Sequence, residues 1–417
     1  MPRHQASLGF IFVTLFLDIL GIGLIIPILP KLVEQLQGGD LTGSSYTYGA
    51  LNAVYALMQF AFSPVLGSLS DQYGRRPIIL LALLGSGLDY LLLAFAPTLP
   101  WFFLGRAISG LSGANITAAT AYIADISPPE KRAANFGIIG AAFGLGFIAG
   151  PLLGGLLGDG NLRLPFFVAA GLTLANWLYG FLWVPESLDA AHRRPFSWGR
   201  ANPIGSLRNL FQNRLGFGLA LSLFLLNLGN FCVHTTWVLY TGYRYGWGPR
   251  EVGISLAVVG VTAAVVQGVL ARRIIPWMGE VRALVIGYGM GAVALAAYGL
   301  APKGWMIYAI LPFGAFAGIG GQSAQAIVSR SVGPAEQGGL QGAIASLGSI
   351  AGFVAPILAT GLFGYWVHAD RAVKVPGVPF YVGAALMGVS LVVALRTLRR
   401  YPSPAVGVSP VIHAPSH

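Results

Sequence analysis

Charge is what this chain has least of. Its 417 residues include 14 acidic and 25 basic side chains, so that 9% are charged, against about a quarter in a soluble domain. A water-exposed surface cannot be covered from that stock. Cys232 is the single cysteine, which excludes an intramolecular disulfide framework. No Walker-type phosphate loop is present, so direct use of ATP is not expected. No nucleophile–base set and no His/Cys metal spacing stands out, so neither an enzyme nor a metal site is expected.

The chain is instead rich in apolar residues, at 55%, and in glycine, at 58 residues. Glycine in apolar helices permits close packing through small side chains. Apolar runs fall at 7–29, 47–68, 77–96, 99–124, 133–158 and 163–185, and again at 215–243, 249–271, 281–300, 304–328, 339–364 and 378–397. Each is long enough to cross a bilayer. The opening "MPRHQA" mimics the start of a signal peptide, but the run after it is read as a retained first helix. The expectation is an all-α integral membrane protein with twelve transmembrane helices in two six-helix bundles. The bundles are assigned to residues 1–185 and 215–400, joined by a central loop at 186–214 and followed by a disordered tail at 401–417. Lys and Arg are more than twice as frequent in the loops on the side of both termini, which places the termini in the cytoplasm. The net charge of +11 is thereby explained by topology, and no nucleic-acid partner is needed.

The halves repeat. Pro129, Gly137 and Pro151 recur as Pro334, Gly342 and Pro356, and Gly74 and the Ala96-Pro97 pair recur as Gly279 and Ala301-Pro302, all at an offset of 205 residues. Two six-helix units with a site between them near the midplane is a layout used by secondary transporters.

Three ionisable residues fall well inside predicted helices: Asp18, Asp89 and Arg106. Unpaired burial in hydrocarbon is costly, so these groups are expected to face one another, a cavity or a substrate. One arginine neutralises one carboxylate and leaves the other with a reason to bind a proton or a cation. A structural ion pair explains Arg106 with one acid but not with both. The second half offers amides and aromatics instead. Asn227, Asn230, Gln267, Gln322 and Gln325, with Trp237 and Tyr240, suit a planar ligand with polar edges; interhelical hydrogen bonds are the alternative use of the same amides. "GAAFGLGFIAGPLLGG", residues 140–155, places small residues including Gly144, Gly150 and Gly154 beside Pro151, a pattern for a bent, tightly packed helix.

"GSLSDQYGRRP", residues 67–77, resembles the signature between the second and third helices of the major facilitator superfamily. "LGRAISGLSGA" is similar to its fourth-helix arginine motif and "GLGFIAGPLLGG" to the fifth-helix motif of its antiporters. "LDILGIGLIIPILP", "YALMQF", "AYIADI", "VPES" and "LQGAIASLGSI" resemble, more narrowly, the bacterial tetracycline/proton antiporters. The resemblance implies that Asp71, Arg75 and Arg76, with Asp125, belong to a cytoplasmic gate, and that Asp18, Asp89 and Arg106 serve proton coupling or substrate binding. It also implies an acid in the ninth helix, where this chain has glycine near Gly291.

The expected function is therefore a proton-coupled antiporter of a bacterial inner membrane. It would act as a monomer by alternating access and export hydrophobic or amphipathic drugs, tetracycline-like compounds first. No cofactor is expected beyond the proton gradient; a tetracycline-like substrate would carry Mg2+. A proton-coupled symporter for sugars or other metabolites keeps the same fold, and a non-transporting receptor or scaffold is the reading from another class.

Overall fold

The computed structural model describes residues 3–128, 130–196, 214–330 and 337–401, with the side chains of 3–7, 132–134, 214 and 337–339 left aside. Pro129 and Pro334 of the repeat, residues 197–213 of the central loop and the tail after Tyr401 lie outside the described residues.

Hydrocarbon offers no partner to a backbone amide, so a crossing segment must satisfy its own hydrogen bonds. Every regular element among the described residues is accordingly helical. The first half comprises α1 (Arg3–Ile25), α2 (Leu29–Leu36), α3 (Leu41–Tyr73), α4 (Arg75–Phe95), α5 (Leu99–Gly113), α6 (Ile116–Ile126), α7 (Arg132–Gly158) and α8 (Leu164–Trp183). The second comprises α9 (Arg214–Tyr245), α10 (Pro249–Ala263), a π-helical turn (Ala264–Leu270), α11 (Ala271–Met278), α12 (Glu280–Leu300), α13 (Gly304–Arg330), α14 (Gln337–Val367) and α15 (Val378–Arg400). Eleven helical stretches among the described residues are long and apolar enough to cross a membrane.

The predicted crossing at 99–124 is two pieces rather than one. At the junction the amides of Ala114 and Asn115 bond to Leu111 and Ser112, three residues back, and this tighter winding interrupts the α pattern. The crossing predicted at 249–271 also differs, since the π turn carries Gln267 at its centre. The first crossing stops at Ile25, ahead of Pro27, and the short α2 that follows is absent from the periodicity reading. In α3 the Asp40 side chain accepts the Thr42 amide at 3.0 Å, starting that helix six residues earlier than the apolar run suggests.

The 205-residue repeat is visible in the backbone. Gly74 (φ 105°, ψ 160°) and Gly279 (φ 80°, ψ 156°) precede α4 and α12 in the left-handed region that glycine alone adopts cheaply. Both helices then end on an alanine of nearly identical conformation, Ala96 at φ −55°, ψ 117° and Ala301 at φ −57°, ψ 116°.

The two halves meet along α3 with α14 and along α7 with α10. A Cβ on Gly155 would lie 2.4 Å from the Pro249 carbonyl oxygen, and one on Gly253 would lie 2.4 Å from that of Pro151. Gly364 similarly packs on Tyr46 and Thr42. These contacts cluster at the end bearing Asp40 and Gly248, opposite the end that carries Arg75, Arg193 and Arg272. Valine at Gly155 or Gly253 would overpack the seam by roughly 1–3 kcal/mol. Each variant is expected to keep its helical circular dichroism but to lose transport in proteoliposomes; full transport by both would show that this close approach is dispensable.

Candidate functional site

The three intramembrane charges come together in the first half. Asp18 of α1 and Arg106 of α5 line a cavity of about 30 Å³ with Tyr55, Ser86, Tyr90 and Ser109. Asp89 lies behind it, where a Cβ on Gly105 would stand 2.8 Å from its Oδ1. Asp89 and Arg106 are buried, at 1% and 7% exposure. The pairing expected from sequence is not made: none of the ion pairs among the described residues joins Arg106 to Asp18 or Asp89. Asp89 Oδ2 instead accepts the hydroxyl of Ser109, and Asp18 Oδ2 accepts the Asn115 amide at 3.4 Å. The Arg106 guanidinium stands 6.0 Å from the centre of the Tyr55 ring, and its Nε and Nη2 have no hydrogen-bond partner, nor has Asp89 Oδ1. The helix break explains part of this arrangement, since Asn115 sits on it. Ser109 and Asn115 are the residues that sequence reasoning missed; Ser109 follows Arg106 by one turn on the same face.

At the basic end, the "GSLSDQYGRRP" segment is built around Arg75. Its Nη1 reaches Asp71 Oδ1 at 2.5 Å and Ser70 at 2.7 Å, while its Nε reaches Asp125 Oδ2 at 3.2 Å. The buried guanidinium thus spans two carboxylates from α3 and α6, a fork that suits arginine. Glu186 completes the cluster from the far side of the half. Its carboxylate accepts the backbone amides of Arg75 at 2.9 Å and Arg76 at 3.2 Å, capping the positive end of α4. A Cβ on Gly74 would collide with that carboxylate, a second reason for glycine there. Arg76 donates to the Phe181 carbonyl at 2.6 Å. Nothing in the sequence around Glu186, "VPES", marks this acid as a partner of Arg75. Ser70, Asp71 and Asp125 belong to the first half and Glu186 to the start of the central loop, so the cluster braces α3, α4, α6 and that loop to one another.

The second half holds a larger cavity, about 340 Å³, lined by Asn227, Asn230, Phe231, His234, Trp237, Gln267, Gly291, Tyr298 and Met387 among others. Four of the seven predicted ligand contacts reach it. Trp237 is fixed edge-on to Tyr298 (centroids 5.4 Å apart) by an indole hydrogen bond to Ser255 at 3.0 Å. Gln267 accepts from Gln322 at 3.4 Å and packs where a side chain on Gly318 would stand. The other three do not line the cavity. Gln322 stands behind Gln267, Gln325 donates to Gln341 at 2.5 Å, and Tyr240 is fully buried with its hydroxyl on the Tyr298 carbonyl at 2.7 Å. Tyr240 is a brace between α9 and α12, and its aromatic character alone did not distinguish brace from ligand contact. His234 and Tyr298 also line the cavity.

The glycine-proline segment divides. Gly150 and Gly154 pack on α1, where added Cβ atoms would meet Gly23 and the Leu24 carbonyl, but an added Cβ on Gly144 would meet nothing within 4 Å. The α7 helix continues through Pro151 to Gly158, and Gly155 is the glycine of this segment that touches the other half.

Two bundles joined by a seam near one end, with a cavity inside one and buried charges inside the other, define a membrane transporter of the two-lobed kind. Residues 11–356 match the Major Facilitator Superfamily, and the chain belongs to that family. It is 38% identical to the class C tetracycline resistance protein of Escherichia coli over 95% of this chain and 98% of that one. It is 36% identical to the class H protein of Pasteurella multocida over 97% and 99% of the two chains. Among solved structures it resembles the human organic anion transporter MFSD10 (TETRAN), with 25% identity, a TM-score of 0.69 and coverage of 94% and 100%. The nucleoside transporter NupG, at 14% identity and a TM-score of 0.75 over 97% and 100%, shares the fold.

Arg75→Ala strips both Asp71 and Asp125 of their cation. A charge-assisted hydrogen bond is worth about 1.5–3 kcal/mol, so a lower unfolding temperature in detergent is expected, with Arg75→Lys recovering only part of the loss. Equal unfolding temperatures for all three proteins would remove the brace.

Proposed function

We propose that the protein exports an amphipathic drug in exchange for protons, with tetracycline-like compounds the first candidates and both termini on the cytoplasmic side. The observation that carries this reading is the pair of acids, Asp18 and Asp89, set around a buried arginine with which neither forms an ion pair. A carboxylate in so apolar a setting is neutralised most cheaply by a proton or by a cationic substrate. The curated relatives, named as tetracycline resistance proteins, support drugs as the cargo.

In the proposed cycle the drug enters from the basic end and lies against Asn227, Asn230, Trp237 and Gln267. Proton exchange at Asp18 or Asp89 biases the equilibrium between conformers, and the halves rock about the cavity until the Gly155–Gly253 seam parts. The Asp71–Arg75–Asp125–Glu186 brace moves with the first half as a rigid unit and forms one face of the cytoplasmic gate. The greater frequency of Lys and Arg at that end supports its cytoplasmic placement.

Proteoliposomes with an imposed pH gradient test the exchange. Adding tetracycline on one side is expected to dissipate the gradient, and Asp18→Asn or Asp89→Asn to abolish the response at equal insertion. Equal drug-dependent dissipation by the wild type and both variants would exclude these acids as the coupling groups.

A further inference from the structure

Resting on the export reading above, we infer that the second-half cavity takes its drug in a metal-free form with no net charge, rather than as a magnesium chelate. Magnesium is held in proteins chiefly by carboxylates and its own waters, and the family resemblance supplies such a carboxylate from the ninth helix. Here Gly291 stands near that position and lines the cavity. The space is already taken: a Cβ on Gly291 would lie 2.5 Å from Met387 Sδ and 2.8 Å from Ala317 Cβ. A thioether thus fills the room an acid would need. No Asp, Glu, Lys or Arg is among the described residues that line this cavity. His234 also lines the cavity and offers an imidazole nitrogen, not an anion, to the ligand.

The remaining polar groups are amides. Asn227, Asn230 and Gln267 each present donors and an acceptor, which suits the hydroxyl, carbonyl and amide edge of a planar drug. The Trp237 indole N–H is already committed to Ser255, leaving the ring as an apolar wall. The acids of the first half do not supply what is missing. Asp89 is bonded to Ser109, Asp18 to Asn115, and the Arg106 charge beside them offsets one of the two. Desolvating a cationic chelate in the 340 Å³ cavity would go uncompensated.

Equilibrium dialysis of tetracycline against the purified full-length protein, once in EDTA and once in excess magnesium, tests this. Binding in EDTA is expected to be at least as tight as in magnesium, and to weaken on the order of tenfold in Asn230→Ala and in Trp237→Ala. Gly291→Asp combined with Met387→Ala, which opens room for the acid, is expected to turn the preference toward magnesium; if that variant does not fold, the wild-type comparison decides. Tighter binding with magnesium would overturn the inference and leave the export reading intact. Binding in neither medium would overturn it and also remove tetracycline as the cargo.

Discussion

Everything in this molecule is arranged around the cost of placing ionised groups where water is scarce. A chain with 9% charged residues has room for very few such groups inside, and it spends three of them in one place. Asp18, Asp89 and Arg106 occupy helices α1, α4 and α5, whose buried side chains are mostly apolar. Each has a single, small partner: a serine hydroxyl for Asp89, an asparagine amide for Asp18 and the face of a tyrosine for Arg106. A closed Arg–Asp pair would be stable and inert. The open arrangement leaves buried atoms unpaired and therefore sensitive to a proton or a ligand.

The halves carry the same scaffold and different chemistry. The glycine turns before α4 and α12 share a positive φ and the alanine ends of those helices have nearly the same conformation, yet ionisable groups sit inside the first half and amides with aromatics inside the second. This asymmetry suits the proposed division of labour, with one bundle responding to protons and the other shaping the cargo site. Communication between them needs a seam that can open, and glycine backbones in contact provide one with little side-chain interdigitation to undo. The Arg75 cluster serves the opposite purpose. It ties Asp71 of α3, Asp125 of α6 and Glu186 to the start of α4.

Much of this was legible in the sequence because membrane constraints are severe. Apolar runs located the crossings, and repeated Gly and Pro exposed the duplication. Isolated charges in apolar runs pointed to the three residues that the fold brings together in the first half. Legibility failed where three-dimensional partnering decides the role. The helix break at Ala114–Asn115 lies within a continuous apolar pattern, so its consequence for Asp18 was hidden. Tyr240 and Trp237 are one turn apart and alike in composition, but one hydroxyl finds a carbonyl while the other ring faces a cavity. Glu186 reads as a loop acid until the fold brings it back to the start of α4, more than a hundred residues away. The π turn at Gln267 has no compositional mark at all.

The central claim is that drug binding in the second half and proton binding by the acids of the first half are coupled through one conformational equilibrium. Proton release on drug binding to purified protein in weakly buffered detergent solution measures that coupling without a membrane or a gradient. The account predicts release that rises in step with occupancy in the wild type and vanishes when Asp18 and Asp89 are both asparagine. Drug binding with no proton release in the wild type, or with undiminished release in the double variant, would contradict it.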